Sequence, residues 1–482
     1  MIESYLLKHI SGYIDGQWVE ADSGETVEVL NPANGKVLAE MPKMGQAETQ
    51  RAIEAAKSAL KPNDLETRRE WLEDIRDALL DEKEEIGRIL CLEHGKPWKE
   101  AQGEVEYAAG FFDYCAKNID ILKPDELKEK AKDCTWTVHH RPVGVVGLIT
   151  PWNFPIGMVA KKIAPAIAAD CPSVIKPASE TPLTMIAMFQ LFHERLDLPK
   201  GFVNLVMGSS SQIGGELMSS PDVTMISFTG STEVGKLLIE QSKDHVKKLG
   251  LELGGNAPFI VFDDADIDHA TTQLVGNKFR GGGQTCVCAN RIYVQSGVYD
   301  KFTDKLVEKV KALKVGDGMD EDIDVGPLIN KAGFEKVQNH VADALSKGAK
   351  LVAGKHPDEL DADKNLFYTP TVVTGVTHDM ACCKEETFGP LVPMIKFDDE
   401  DEVIELGNTT EFGLASYVFT SDEKRAEKTI RGLHFGHCGW NTGTGPAPHA
   451  PFGGMKQSGI GREGGDEGIM EFVEVQTVPR GK

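Results

Sequence analysis

The sequence predicts an α/β protein that is built from two lobes, each with a parallel β-sheet. Short apolar runs alternate with helical stretches, and this alternation is typical of strand–helix–strand units with right-handed crossovers. It occurs in two series, which begin near residues 143 and 259 and are separated by LELGGN at residues 251–256. The chain of 482 residues, with a hydrophobic fraction of 41%, is too long for one compact unit and can form a large core.

The region before the first series is predicted to form a hairpin, a strand and helical segments. Asp15-Gly16 marks the turn of a hairpin over residues 12–19, and residues 27–30 form a strand that ends at Asn31-Pro32. Apolar side chains then recur with helical spacing over residues 46–60, 65–93 and 98–117. These helices carry no evident catalytic groups, so we expect them to be scaffold.

The two series predict the strands of the two sheets. The first series has strands at residues 143–150, 173–176, 202–206 and 223–228, and the second at 259–262, 291–294, 367–373, 392–397 and 416–420. Ligands bind beyond the carboxyl ends of the strands in parallel sheets. The segments that follow the first strands are therefore expected to line a ligand site: TPWNFP, KPAS, MGSSSQIGG and TGSTEVG.

Two further segments are predicted to leave the body of the protein. Residues 121–141 are charged and then strand-like at 135–138, and residues 469–478 are strand-like with alternating polarity. Such segments pair at a sheet edge or contact a partner subunit, and a solvated loop is the alternative for residues 121–141.

Composition and charge exclude several classes of function. The net charge is -23, with 75 acidic and 52 basic residues, which argues against a nucleic-acid or anionic-membrane surface. The N-terminus has only short apolar stretches, so we expect neither a signal peptide nor a membrane span, and a cytoplasmic protein. The 9 cysteines include no CxxC pair, so neither a disulfide framework nor a structural metal site is indicated.

The stretch FRGGGQTCVCANR, residues 279–291, holds the strongest candidate for a nucleophile. Cys286 follows three glycines, Gln284 and Thr285, and a glycine run lets the backbone display the thiol beside a ligand. An ordinary buried cysteine is the alternative, because free cysteines are among the most buried residues. The neighbouring segments favour the interpretation of Cys286 as a nucleophile over that of an ordinary buried cysteine.

Two other residues are suited to assist a cysteine nucleophile. Glu252 lies between Leu251 and Leu253, and apolar surroundings raise the pKa of a carboxylate toward the range of a general base. Asn153, between two aromatic residues and two prolines, is an amide in a rigid turn that can donate to a developing oxyanion. A glutamate or an asparagine alone is more often structural. The combination of Cys286, Glu252 and Asn153 is much less often found by chance.

A nucleotide site is only weakly indicated by the residues themselves. Lys176 ends a strand, and Phe228-Thr229-Gly230-Ser231 leads from a strand into a helix whose N-terminus has free backbone donors. The sequence has neither a GxGxxG fingerprint nor a P-loop, so glycines that serve only turns are the alternative.

Together these motifs resemble the aldehyde dehydrogenase superfamily. The matching segments follow one another in order from residue 150 to 463: TPWNFP, KPAS, FTGSTEVG, LELGG, GQTC, EETFGP and PFGGMKQSGIGRE. The resemblance implies a Rossmann-type cofactor domain (residues 1–120 and 142–253), an α/β catalytic domain (254–448) and a small β oligomerisation arm (121–141 and 465–482). It also implies a homodimer or homotetramer.

The resemblance assigns roles to the reaction centre. It makes Cys286 the nucleophile that attacks an aldehyde, with the Asn153 amide and the Cys286 backbone N–H as the oxyanion donors. Glu252 becomes the base that activates water for hydrolysis of the thioester. Lys162 and Glu463 match supporting residues near the centre, and a surface lysine and a structural salt-bridge partner are the alternatives for these two.

The resemblance also assigns an NAD or NADP site. Glu386 and Phe388 match contacts to the nicotinamide ribose and ring, and Lys176 and Ser231 match contacts to the adenosine ribose and pyrophosphate. Further cofactor positions implied are Thr150, Pro151, Trp152, Ser179, Gly214 and Gly230. NAD-preferring members have a glutamate at the position of Ser179, so NADP should be tolerated or preferred, although the neighbouring Glu180 opposes this.

The substrate prediction depends on the succinate-semialdehyde dehydrogenase branch, which FRGGGQTCVCANR resembles most. Arg280 matches the arginine that binds the substrate carboxylate in that branch, and a guanidinium is a bidentate partner for a carboxylate. Lys161 is expected to bind the same carboxylate, because it stands where the branch has a second carboxylate-binding arginine, although it keeps the charge without the fork. Ala447 stands where the branch has a serine and lacks its hydroxyl donor. Succinate semialdehyde is therefore predicted first, with glutarate semialdehyde or another anionic aldehyde as alternatives.

Two other expectations remain open from the sequence. Cys288 matches a cysteine that forms a reversible disulfide with the nucleophile in that branch, and a residue that only lines the loop is the alternative. A cofactor-free thiol esterase, a CoA-acylating enzyme and a non-catalytic protein are the alternatives to an aldehyde dehydrogenase.

Overall fold

A computed structural model describes residues 1–128 and 133–481 of the chain. The first part of the chain carries the predicted hairpin, with Asp15 and Gly16 at positive φ in its turn, and the predicted scaffold helices. Its elements are β1 (Gly12–Ile14), β2 (Gln17–Val19), β3 (Thr26–Leu30), β4 (Val37–Pro42), α1 (Gln46–Ser58), α2 (Leu65–Asp81), α3 (Lys83–His94), α4 (Trp98–Asn118), a 3₁₀ turn (Ile119–Leu122), β5 (Asp125–Glu126) and β6 (Cys134–Pro142).

The first predicted series follows and confirms the expected alternation of strands and helices. Its strands are short and buried, as expected for strands that are covered on both faces. Its elements are β7 (Val145–Ile149), α5 (Pro155–Ala168), β8 (Ser173–Lys176), α6 (Leu183–Arg195), β9 (Val203–Leu205), α7 (Ser210–Ser219), β10 (Val223–Thr229), α8 (Thr232–Ser242) and β11 (Lys248–Glu252).

The second series and the C-terminal segment complete the chain. Their elements are β12 (Ala257–Val261), α9 (Ile267–Phe279), a 3₁₀ turn (Arg280–Gly283), β13 (Ala289–Gln295), α10 (Tyr299–Lys311), α11 (Lys331–Ser346), β14 (Lys350–Ala353), a 3₁₀ turn (Pro357–Glu359), β15 (Thr371–Thr374), α12 (Ala381–Lys384), β16 (Leu391–Phe397), α13 (Glu400–Asn408), β17 (Phe412–Gly413), β18 (Ala415–Phe419), α14 (Glu423–Gly432), β19 (His437–Trp440), β20 (Met455–Lys456), β21 (Gly459–Ile460), α15 (Gly465–Met470) and β22 (Val473–Gly481).

The first sheet has the strand order β2-β1-β9-β8-β7-β10-β11-β21. Its central strands β9, β8, β7, β10 and β11 are parallel. The chain moves outward from β7 to β9 on one side and from β10 to β11 on the other, so the strand order reverses between β7 and β10. Parallel sheets bind ligands at such a reversal, beyond the carboxyl ends of the strands.

The second sheet has the order β14-β15-β16-β13-β12-β18-β19, and its strands from β15 to β19 are parallel. The first sheet passes into the second within a few residues, because β11 ends at Glu252 and β12 begins at Ala257. The residues that precede β12 and β13 therefore face the carboxyl edge of the first sheet. The candidate residues Glu252 and Cys286 lie at this junction.

A three-stranded antiparallel sheet, β22-β6-β5, stands apart from the two large sheets. Pairing between β22 and β6 extends from Val473 opposite Pro142 to Gly481 opposite Cys134. The two segments predicted to leave the body are thus joined in one sheet. The solvated-loop alternative is wrong for residues 134–142, while residues 129–132 of the predicted arm lie outside the described residues.

Three predicted boundaries are wrong. The helical period of residues 65–93 is divided between α2 and α3, because Glu82 leaves the helical conformation (ψ 15°) and its carboxylate contacts Tyr5 and Arg195. Residues 367–370 do not continue β15, since Pro370 cannot donate to a strand ladder. Ile469 belongs to α15, and the last strand begins only at Val473.

The hydrophobic cores lie on the faces of the two sheets. Helix α5 is buried along its whole length, between α4, α15 and the first sheet. Two lysines, Lys161 and Lys162, are on this helix and must therefore be paired inside the protein. Within residues 1–128 and 133–481, no helix is long and apolar enough to cross a lipid bilayer.

Candidate active site

Cys286 lies in the loop between α9 and β13, which a glycine run shapes. Gly281, Gly282 and Gly283 have φ of 57°, 67° and 77°, a left-handed conformation that favours glycine. A Cβ at Gly283 would lie 2.4 Å from the Gly389 carbonyl oxygen, so only glycine allows this contact. The loop is thereby held against EETFGP with Cys286 at its end.

The Cys286 side chain is partly exposed and lines two cavities that meet at it. One is the tunnel, which includes Tyr107, Phe154, Met158, Lys161, Arg280 and Phe452 in its wall. The other is the cleft, which includes Pro151, Asn153, Gly230, Ser231, Glu386 and Phe388. A thiol at the junction of two cavities is placed to react with a ligand in one beside a ligand in the other.

Burial governs the ionisation of Cys286. It raises the pKa of the thiol to about 12, and the Lys161 ammonium is the main group that opposes this rise. The carboxylates of Glu386 and Glu252 raise the pKa further, because a second negative charge nearby is unfavourable. The nearby cation therefore matters for the reactivity of this thiol.

Asn153 is held against the Cys286 loop. Its Nδ2 donates to the backbone carbonyl oxygen of Gln284 at 3.0 Å, and the backbone carbonyl oxygen of Asn153 accepts from Lys96 Nζ at 2.9 Å. An amide carries two hydrogens, and the structure uses one of them in this contact. The second is available for an oxygen atom that approaches Cys286.

Glu252 ends β11 and is buried with neither carboxylate oxygen hydrogen-bonded to any described residue. Burial, and then the neighbouring Glu463, raise its pKa well above the ordinary value, against the effect of Lys161 and Lys162. PFGG encloses this carboxylate, since a Cβ at Gly453 would lie 2.9 Å from Glu252 Oε1. This carboxyl therefore keeps its proton to a higher pH than an exposed glutamate does.

Glu463 binds both lysines of α5. Lys161 Nζ lies 2.5 Å from Oε2 and Lys162 Nζ lies 2.5 Å from Oε1 of this carboxylate. Lys162 also donates to Ser227 Oγ at 3.0 Å and is fully buried, so the surface-lysine alternative is wrong. The salt-bridge alternative for Glu463 agrees with this geometry, which also joins Glu463 electrostatically to Glu252.

A groove continues from the cleft along the carboxyl edge of the first sheet. Thr150, Pro151, Trp152, Gly230 and Ser231 line it at the strand-order reversal, and Lys176, Ser179, Glu180, Gly214 and Gly215 line its far part. A Cβ at Gly214 or Gly215 would meet no heavy atom within 4 Å, so the backbone of α7 faces open space. The Ser231 side chain caps α8 by accepting from the Val234 N–H at 3.3 Å. The groove thus fits an extended ligand with phosphates near the N-terminus of α8.

Glu386 and Phe388 form the wall of the cleft opposite Asn153. Glu386 Oε1 accepts from the Gly255 N–H at 3.1 Å, and burial raises the pKa of this carboxyl to about 7. Phe388 has a positive φ of 55° and meets the Trp152 ring edge-on at 5.6 Å. Asn290 holds this segment by accepting from the Thr387 N–H at 3.1 Å.

The tunnel contains three cations, of which Arg280 differs from the others. Lys96 is paired with Glu104 and Lys161 with Glu463, each at 2.5 Å. Arg280 forms no ion pair of 4.0 Å or less with any residue of the described ranges, and its guanidinium lies 5.3 Å from the Phe154 ring centre. The carboxyl of Glu100 lies in the same wall, where its Oε2 accepts from the Gly281 N–H at 2.8 Å and burial raises its pKa. The guanidinium thus has no ion-pair partner among the described residues and can bind an anionic ligand.

Some predicted residues lie outside the cavities. Cys288 is buried in the loop, where its thiol contacts the Lys278 and Ala289 carbonyl oxygens at 3.6 Å. Glu252, Lys162 and Glu463 line neither cavity but lie buried near the reaction centre. Ala447 does not line the tunnel, whereas its neighbour Pro446 does.

Several residues of the site could not be found from the sequence, among them Lys96, Glu104 and Lys336. Lys96 and Glu104 belong to predicted scaffold helices and their loop, yet Glu104 accepts from the Ile156 and Gly157 N–H groups at 3.1 Å each and so fixes the start of α5. Lys336 of α11 lines the cleft. Helical periodicity gives no signal for either role, because the partners are distant in sequence.

Comparison with known proteins places this geometry in a family. The model of the "Aldehyde dehydrogenase family" matches residues 18–478. The glutarate-semialdehyde dehydrogenase of Pseudomonas aeruginosa is 46% identical over 467 residues, which cover 96% of this chain and 96% of that protein. The NADP(+) succinate-semialdehyde dehydrogenase of Escherichia coli is 45% identical over 466 residues, again with 96% of each chain covered.

A solved structure agrees with the fold over the full length. The crystal structure of an oxidoreductase from Marinobacter aquaeolei has a TM-score of 0.98 and 65% sequence identity, and the match covers 100% of each chain. The predicted fold class is thereby confirmed. From the sequence motifs, the fold and these matches, the chain belongs to the aldehyde dehydrogenase family.

Proposed function

We propose that this protein oxidises an ω-carboxylated semialdehyde to the dicarboxylate with NADP or NAD, with succinate semialdehyde as the first candidate and glutarate semialdehyde as the next. The observation that carries this proposal is Arg280, the free cation in the wall of the tunnel that ends at Cys286. A guanidinium binds a carboxylate with two parallel hydrogen bonds. Similarity to succinate- and glutarate-semialdehyde dehydrogenases supports the same substrate class.

The proposed reaction begins at Cys286. Its thiolate attacks the aldehyde carbon, and the carbonyl oxygen becomes an oxyanion that accepts from the Asn153 amide and the Cys286 backbone N–H. A nicotinamide cofactor, when bound, would supply the two-electron oxidant by accepting a hydride from the adduct carbon, so that the carbon–oxygen double bond re-forms and Cys286 holds a thioester. Trp152, Glu386 and Phe388 would hold the nicotinamide end in the cleft, since all three line it beside Cys286.

Glu252 is proposed to act in the second half of the reaction. Its carboxylate takes a proton from water, the hydroxyl oxygen attacks the thioester carbon, and the C–S bond breaks to release the carboxylate product and the Cys286 thiolate. Lys161 and Lys162 are proposed to favour the ionised form of Glu252, because they lower its pKa, while Glu463 holds both lysines in place and itself opposes that form. The presence of Glu252 as a base favours hydrolysis of the thioester over transfer of its acyl group to CoA.

The cofactor preference is proposed from the far end of the groove. Ser179 lines it beside Lys176, so a 2′-phosphate would meet a hydroxyl and an ammonium there. Glu180 also lines the groove but is exposed, so it can turn toward solvent. We therefore expect NADP to be accepted at least as well as NAD.

We also propose the division into a cofactor domain (residues 1–120 and 142–253), a catalytic domain (254–448) and an oligomerisation arm (121–141 and 465–482). The sheet formed by β5, β6 and β22 presents Val475 and Val478 with 59% and 37% exposure, and a partner subunit of a homodimer or homotetramer would cover them. The 9 cysteines of the chain are all free thiols, which supports a reducing, cytoplasmic location.

Replacement of Arg280 tests the proposed substrate class. Arg280→Gln keeps a polar side chain but loses the charge, and charged hydrogen bonds contribute roughly 1.5–3 kcal/mol, so kcat/KM for succinate semialdehyde should fall roughly 10- to 150-fold. A neutral aldehyde of equal length, butanal, should lose less than about threefold. Equal losses for both substrates would refute the carboxylate contact.

A further inference from the structure

Lys161, Lys162 and Glu463 form a buried charged cluster next to the tunnel, and the two lysines have different surroundings. Lys161 and Lys162 share Glu463, and their side chains are only 3% and 0% exposed. Lys162 is directed to Ser227 on β10, whereas Lys161 lines the tunnel with Cys286. Only Lys161 thus joins the cluster to the nucleophile.

The two lysines of the cluster differ in how firmly they hold a proton. Burial lowers the pKa of Lys162, whereas the pKa of Lys161 is raised, so Lys161 is the member that keeps its positive charge. Burial and Glu463 favour the protonated form of Glu252, since they raise its pKa. Burial alone would lower the pKa of Lys161, but Glu463, Tyr107, Glu252 and Cys286 together outweigh burial and keep the ammonium charged. The charge beside Cys286 is therefore maintained by contacts within the protein.

The ion pair also limits what Lys161 can do for a substrate. A lysine that is paired at 2.5 Å inside the protein would have to leave Glu463 to bind a substrate carboxylate. Separating a buried ion pair costs several kcal/mol. Arg280 requires no such separation, and the Phe452 ring at 5.5 Å further packs the Lys161 ammonium in place.

We propose that Lys161 activates the nucleophile: it supplies a fixed positive charge that stabilises the Cys286 thiolate, and it does not anchor the substrate anion. This inference rests on the proposed function, in which Arg280 alone binds that anion. The thiol proton passes to water, the electron pair stays on sulfur, and the cluster loses no proton.

Several ionisable groups around Cys286 shift the pKa of its thiol. Burial raises this pKa, and Lys161 is the cation that lowers it most. Glu252 from β11 and Glu386 from the segment before β16 disfavour the thiolate. Further titratable groups face the same two cavities or lie beside them: Lys96, Glu100, Glu104 and Tyr107 from α4 and the residues before it, Arg280 and Cys288 of the loop, Lys336 of α11 and Tyr417 of β18.

Alkylation of Cys286 tests the inference without turnover. Iodoacetamide is neutral, and its rate of reaction follows the thiolate fraction as sulfur replaces iodide. Lys161→Met should move the pH midpoint of this reaction upward by about one unit, because an opposite charge nearby typically lowers a pKa by one to three units. At a fixed pH below both midpoints, the rate should fall about tenfold. Mass spectrometry of the Cys286 peptide and a Cys286→Ser variant exclude reaction at other thiols.

Further variants separate charge from structure. Lys161→Arg keeps the charge and should keep the midpoint within about 0.3 units, while Lys161→Gln should reproduce the shift of Lys161→Met. If the methionine variant does not fold, the glutamine variant provides the test, because its amide can still hydrogen-bond to Glu463. An unchanged midpoint in a folded, uncharged variant would overturn the inference.

Arg280→Gln is the matched control, since it removes another cation from the same tunnel. Arg280→Gln should lower the rate with the anion iodoacetate relative to iodoacetamide, whereas the Lys161 variants should affect both reagents equally. If Lys161→Met instead lowers only the iodoacetate rate, Lys161 anchors anions and the inference is wrong. If Arg280→Gln leaves the iodoacetate preference unchanged, the proposed function fails separately.

Discussion

Glu252→Gln should separate the two halves of the proposed reaction. Glutamine has the shape of glutamate, and neither Glu252 oxygen is hydrogen-bonded to a described residue, so the replacement breaks no observed contact. It removes the base, and a general base contributes about 10²- to 10⁴-fold to a rate, or about 2.7–5.5 kcal/mol of activation free energy. We expect kcat to fall by this factor.

The first turnover should survive this replacement. Cys286, Asn153 and the cofactor groove remain intact, so mixing the enzyme with NADP and succinate semialdehyde should give one equivalent of NADPH per site. Stopped-flow absorbance at 340 nm measures this burst, and intact mass should show the acyl group on Cys286. Glu240→Gln, which changes an exposed residue of α8, serves as the control.

Two results would refute this reasoning. Loss of the burst would mean that Glu252 is needed before the thioester forms, and an unchanged kcat would mean that another group activates water. The pH profile gives an independent check. The raised pKa of Glu252 means that its base form, and hence deacylation, should increase as pH rises through that value. The glutamine variant should lose this dependence.

The same carboxyl should also affect stability. Its folded-state pKa is raised above the unfolded value near 4.5, so the folded state loses stability as pH rises above the unfolded value, by about 1.4 kcal/mol for each unit until the folded pKa is passed. Glu252→Gln removes this loss. The variant should therefore melt at a higher temperature than the wild type at pH 8, and the difference should vanish near pH 4.

Three further predictions concern single residues. Asn153→Ala removes an oxyanion donor and should lower kcat about 10²- to 10³-fold with a small change in KM; a larger effect on KM than on kcat would contradict this role. Ser179→Glu places a carboxylate beside the proposed 2′-phosphate and should lower kcat/KM for NADP at least about tenfold relative to NAD; an unchanged ratio would show that Ser179 is remote from the phosphate. Hydrogen peroxide should inactivate the wild type through a Cys286–Cys288 disulfide, with two water molecules formed, and dithiothreitol should restore activity. The same reversible loss in Cys288→Ala would exclude the disulfide.

Local sequence predicts much of the fold for reasons that the structure makes plain. Strand β8 occupies residues 173–176 as predicted, because Ser173, Val174 and Ile175 are small or apolar and, with Lys176 at the end, form a strand that is buried on both faces. The hairpin of β1 and β2 follows from the turn residues Asp15 and Gly16. The break at Glu82 could not be predicted in this way, since it depends on contacts with Tyr5 and Arg195.

The candidate site divides along the same line. The reactive groups could be identified from sequence alone, because Cys286, Glu252 and Asn153 lie in short motifs whose glycines and prolines set the local backbone. Their electrostatics could not, because these depend on the tertiary structure. Lys161 and Glu463 are about 300 positions apart, yet their contact determines which cation is free in the tunnel. Burial and charge depend on what the whole chain packs around a group, and no local pattern records this.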